Sequence, residues 1–113
     1  MNILNQIVLV GRLVKDPELI EKENNKKISN ITLAVPRSFK NMNGEYETDF
    51  INCVLWDSVA KSTVEYCKKG NIVGVKGRIQ SRTVESEESQ KKYYIEVIAE
   101  KVTFLSQDNK DKK

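Results

Sequence analysis

Residues 5–14, NQIVLVGRLV, constrain the fold more than any other segment. Ile7, Leu9 and Leu13 alternate with Val8, Val10 and Val14, so the strand they predict is apolar on both faces, and Gly11 interrupts it. An open sheet with one wet face has no use for such a strand. A small barrel does, because its strands are covered on both sides in places and bend sharply at glycines. Asp16-Pro17 ends the segment.

Four more strands and one helix follow. A polar loop, EKENNKK at 21–27, leads into a strand at 28–35, where Ile31, Leu33 and Val35 share one face and Asn30, Thr32 and Ala34 the other. Pro36 is expected to stop it. The stretch 36–45 reads as a loop with Asn43-Gly44 at its tip. The strand at 46–56 places Ile51, Cys53 and Leu55 on one face and Phe50, Asn52, Val54 and Trp56 on the other. Asp57 or Ser58 then caps a helix to about Lys69, with Ala60, Val64 and Cys67 at helical spacing and Gly70 as its stop. The strand at 72–82 alternates Val73, Val75 and Ile79 with Lys76, Arg78, Gln80 and Arg82. After a charged loop at 83–92, the last strand occupies 93–105.

Three strands, a helix and two strands predict an all-β OB-fold: a five-stranded Greek-key barrel with its helix between the third and fourth strands. With 113 residues the chain holds one such domain, 1–105, and a short polar tail, 106–113. A domain this small gains from self-association. No apolar run approaches the roughly 20 residues that cross a bilayer, and the N-terminal residues do not read as a signal peptide, so a cytoplasmic protein without membrane contact is expected.

What the sequence lacks removes most enzyme classes. There is no histidine, so Cys53 and Cys67 have no imidazole to activate them, and a four-ligand metal site would need carboxylates for half its donors. Neither a GxxxxGK[ST] loop nor a GxGxxG fingerprint occurs. The expectation is a binding protein with no catalytic residue, no metal and no cofactor.

Binding a flexible polyanion without regard to its sequence needs cations for phosphates and rings for bases. The net charge is only +3, from 19 basic and 16 acidic residues, so clustering matters more than the total. Arg37 and Lys40 flank Phe39 in the 36–45 loop, where a ring has no core to enter. Lys76, Arg78 and Arg82 line one strand face, where their mutual repulsion would be relieved by a polyanion. For Phe50 and Trp56, spacing alone allows either core packing or stacking. The residues also leave open RNA as the ligand, or a role as a protein adaptor.

The chain also resembles a known family, the bacterial single-stranded DNA-binding proteins. The matching segments, in order, are NQIVLVGRLVKDPE at 5–18, NITLAVPRSF at 30–39, TDFINCVLW at 48–56, YCKKG at 66–70 and VKGRIQSR at 75–82. The resemblance implies sequence-independent binding of single-stranded DNA in replication, repair, recombination or DNA uptake, by a homotetramer. It places stacking rings at Phe39, Phe50 and Trp56, and phosphate contacts at Lys68, Lys69, Lys76 and Arg82. A fourth ring is expected where this chain has Val84. Relatives often end in an acidic tip that recruits other proteins, whereas this chain ends in KDKK, so tail-mediated recruitment is not expected. The implied type is a short accessory, competence or mobile-element member.

Overall fold

The computed structural model describes residues 4–105, and the expected tail at 106–113 lies outside them. The described residues form strands β1 (Ile7–Leu13), β2 (Ile20–Glu21), β3 (Lys27–Lys40), β4 (Tyr46–Trp56), β5 (Ile72–Glu85) and β6 (Lys91–Phe104), with one α-helix, α1 (Asp57–Tyr66). The pairings β1–β5, β5–β6, β6–β4, β4–β3 and β3–β1 close on themselves. All are antiparallel except β4–β6. Five long strands in this cyclic order, with a helix between the third and fourth of them, form an OB-fold. The two-residue β2, which pairs with the start of β3, is an addition that no sequence pattern announces.

Gly11 bends the chain as its position suggests. Up to Arg12, β1 pairs with β5, and at Arg12–Leu13 it crosses to β3. A Cβ at Gly11 would stand 2.9 Å from the Ala34 carbonyl oxygen. The barrel interior is filled by Leu13, Ile31, Leu33, Cys53, Leu55, Val73, Val75, Val97 and Ala99, with Ala60 and Cys67 closing the helix end.

One expectation fails at β1. Val8 and Val10 are 66% and 51% exposed, so the strand is covered on one face only. They share the outer side of the barrel with Lys76 and Gly74 of β5.

The helix also departs from its expected limits. Neither Asp57 nor Ser58 caps it: Trp56 holds the capping position with no side-chain hydrogen bond, and the Asp57 carboxylate accepts the Lys27 N–H at 3.1 Å. It stops at Tyr66 rather than Lys69, because Asn71 Oδ1 accepts the Lys68 N–H and Leu13 O accepts the Gly70 N–H.

Both cysteines are free and buried. Burial pushes the Cys53 thiol up to about 12 and raises that of Cys67 as well. Thiolate is the reactive form. A thiol-disulfide reagent at pH 8 is therefore expected to leave both groups unmodified in the folded protein and to titrate two in denaturant; rapid labelling without denaturant would contradict the packing.

Candidate nucleic-acid interface

Two hairpin arms project from the same end of the barrel. Sequence polarity suggested loops at 36–45 and 83–92, but β3 continues past Pro36 to Lys40, and β5 past Arg82 to Glu85. The first turn spans only 41–45. Asn41 organises it: its Oδ1 accepts the N–H groups of Asn43 and Glu45 at 2.9 and 3.0 Å, while its Nδ2 donates to Glu47. The second spans 86–90, where Ser86 Oγ accepts the Gln90 N–H. Because β4 and β6 are parallel and pair only over residues 53–55 and 97–99, the arms diverge beyond that contact and leave a cleft between them.

Phe50 and Trp56 stand on the outer face of β4, 67% and 40% exposed. Neither ring is therefore part of the barrel core, where an aromatic would be covered. Of the two residues between them on that face, Asn52 is exposed and Val54 is buried, packed with Ile28 and Ile98 into a small apolar floor. Phe39 is also 67% exposed, at a shift in the β3–β4 register between Pro36 and Lys40. Val84 lies on the second arm opposite Lys92.

The cations are distributed differently from the sequence pattern. Arg37 is held by two carboxylates, with Nη2 at 2.9 Å from Asp49 and Nη1 at 2.8 Å from Glu47. The hydrogen bond from Arg37 lowers the Asp49 pKa below the usual carboxylate range, and the same bond raises that of the guanidinium. Arg78 approaches Glu100 at 3.8 Å and donates to Gln80 Oε1, and Arg82 approaches Glu96 at 3.5 Å. The β5 stripe is therefore partly neutralised by β6, an arrangement set by cross-strand register. Lys40 Nζ sits 5.7 Å from the Tyr46 ring centroid. Lys76 faces Lys101 across the β5–β6 ladder. Among the described residues, Lys40, Lys68, Lys69 and Lys76 form no ion pair.

These groups are not all together. Phe39, Phe50 and Arg82 lie along the arms, Arg78 opposes Ile98 at the base of the second arm, and Trp56 stands opposite Ile28 at the far end of β4, where α1 begins. Lys68 and Lys69 follow α1 and sit beside the end of β1, tied by the Lys69 N–H to Asp16 Oδ1 at 2.7 Å and by the Gly70 N–H to Leu13 O. Sequence reasoning missed Asn41, Glu96 and Glu100, whose places depend on the turn and the register.

An OB barrel with exposed rings and cations on its outer surface carries the kinds of group that single-strand binders use. The comparisons agree. The model of the single-strand binding protein family matches residues 4–105. Single-stranded DNA-binding protein B of Bacillus subtilis (strain 168) is 48% identical over 108 residues, covering 96% of both chains. The single-stranded DNA-binding protein of Halalkalibacterium halodurans is 50% identical over 102 residues, which are 90% of this chain and 61% of that one. Single-stranded DNA-binding protein A of Bacillus subtilis is 48% identical over 106 residues, 94% of this chain and 62% of its own length. The chain thus spans nearly all of the first relative and about three-fifths of the other two. It belongs to the single-strand binding protein family.

Proposed function

We propose that the chain binds single-stranded DNA without sequence preference, stacking bases on Phe39, Phe50 and Trp56, and serves in replication, repair, recombination or DNA uptake. The observation that carries the reading is the exposure of Phe50 and Trp56 on a face whose floor, Val54, Ile28 and Ile98, is buried. Lys40 and Lys76 meet phosphates first, being unpaired. Arg78 and Arg82 exchange a carboxylate for a phosphate, Lys68 and Lys69 extend the path round the helix end, and Arg37 holds the first arm in shape. The protein acts as a binder and not as an enzyme: the thiol of Cys53 is buried and hard to ionise, and the sequence has no histidine. No helix among the described residues is long and apolar enough to cross a membrane, in keeping with work in the cytoplasm.

The homotetramer belongs to the same proposal. Along residues 7–11, β1 pairs with β5 alone among the described residues, so its other edge is open while Val8 and Val10 are exposed. An open apolar edge invites pairing with another copy, which would also cover the two valines the sequence expected to be buried.

A salt titration of oligo-dT binding, read by Trp56 fluorescence, tests the reading. Log affinity is expected to fall against log salt with a slope near −0.7 per phosphate neutralised, with Trp56 quenched by stacked bases. Absence of both binding and quenching at low salt would overturn it.

A further inference from the structure

We infer that Tyr94 is an additional base-stacking site, presented by the second arm across the cleft from Phe50. The inference rests on the single-strand reading above and adds a residue to it. Three observations carry it. First, Tyr94 belongs to the outer face. Alternation along β6 puts Tyr94 and Glu96 on the side of Ile98, and Ile98 forms the apolar floor with Val54 of β4. Tyr93, its neighbour, points to the other side.

Second, Tyr94 and Phe50 stand at the same level. Val54 pairs with Ile98 in a parallel ladder, and each ring lies four residues back along its strand from that pair, roughly 13 Å out on its arm. Beyond residues 53–55 the strands no longer pair, so the rings flank the opening of the cleft. A strand crossing from one arm to the other would meet a ring on each.

Third, the Tyr94 ring is set for a base on one side. The Arg82 guanidinium carbon lies 5.3 Å from its centroid, and the residue remains 45% exposed. A cation on one face of a ring orients it, and leaves the other face for a base. Arg82 opposes Tyr94 directly in the ladder, so the same pair offers a phosphate contact beside the stacked base. This arm carries aliphatic Val84 where the sequence resemblance expects a ring, and Tyr94 supplies one from the adjoining strand.

Two substitutions and a cross-link test the proposal on the full-length protein. Tyr94→Leu keeps an apolar side chain suited to a strand but has no π face, and is expected to weaken oligo-dT binding by about tenfold. Tyr94→Phe is expected to bind like the unsubstituted protein. Irradiating a complex with 5-bromodeoxyuridine-substituted oligonucleotide should attach DNA to the peptide containing Tyr94. Unchanged affinity in Tyr94→Leu, equal losses in both variants, or cross-links at the Phe50 or Trp56 peptides with none at Tyr94, would each overturn it while leaving the broader reading intact. If the unsubstituted protein binds no oligonucleotide, the broader reading fails and this inference fails with it.

Discussion

Gly77→Ala is expected to cost the fold about 3 kcal/mol or more, which for a small protein lowers the urea midpoint by about 1 M or more. A Cβ at Gly77 would stand 2.0 Å from the Ile98 carbonyl oxygen, 2.9 Å from its carbonyl carbon and 3.1 Å from the Ala99 Cα. All three are backbone atoms of the neighbouring strand, so no side chain can rotate away. The crowding follows from the ladder: Lys76 opposes Lys101 but Gly77 opposes Ala99, so Glu100 is an extra residue and the β6 backbone buckles toward β5 there. Gly74→Ala is the control, since its nearest neighbour is a Leu105 methyl at 3.5 Å. Its midpoint should move little. If the two substitutions destabilised equally, the bulge would not be the source of the constraint.

That bulge illustrates what the sequence could and could not convey. Barrel connectivity was legible because alternation marks strands wherever one face meets a core, and Leu33, Cys53, Leu55, Val73 and Val75 all read correctly. Beyond the barrel there is no core to impose alternation. The charged stretch 83–92 therefore looked like a loop although half of it belongs to a two-stranded arm. Pro36 looked like a strand end, but it pairs with Thr48 immediately before the register shift, at a site where a missing N–H is tolerated. Val8 and Val10 read as core because their chemistry is apolar, and the single chain leaves them open. The rings at Phe39, Phe50 and Trp56 were visible as residue types in plausible places. Which cations stand free was not, because Glu96 and Glu100 reach Arg82 and Arg78 only through strand pairing. The level shared by Phe50 and Tyr94 likewise depends on a parallel pairing between strands far apart in sequence.

The largest effect on binding is expected from removing two rings at once, Phe50→Ala with Trp56→Ala. A stacked base contributes about 1 to 3 kcal/mol, so the double variant should bind oligo-dT at least about 30-fold more weakly, measured by anisotropy of a labelled oligonucleotide because the only tryptophan is gone. The two positions lie six residues apart on one face, roughly 20 Å, with Val54 between them. Independent platforms at that separation should lose affinity additively, so each single variant should account for its own share. Salt separates the rings from the charges: the double variant should keep the slope of the unsubstituted protein, whereas Lys76→Ala should reduce it by about 0.7 with a smaller loss of affinity. Stability is the second discriminator. A core aromatic cut to alanine costs about 3 to 5 kcal/mol, but Phe50 is 67% exposed and should cost far less. If Phe50→Ala melted the barrel and left the affinity of the remaining folded protein unchanged, the ring would be packing after all, and the open face of β4 would not be where the strand is held.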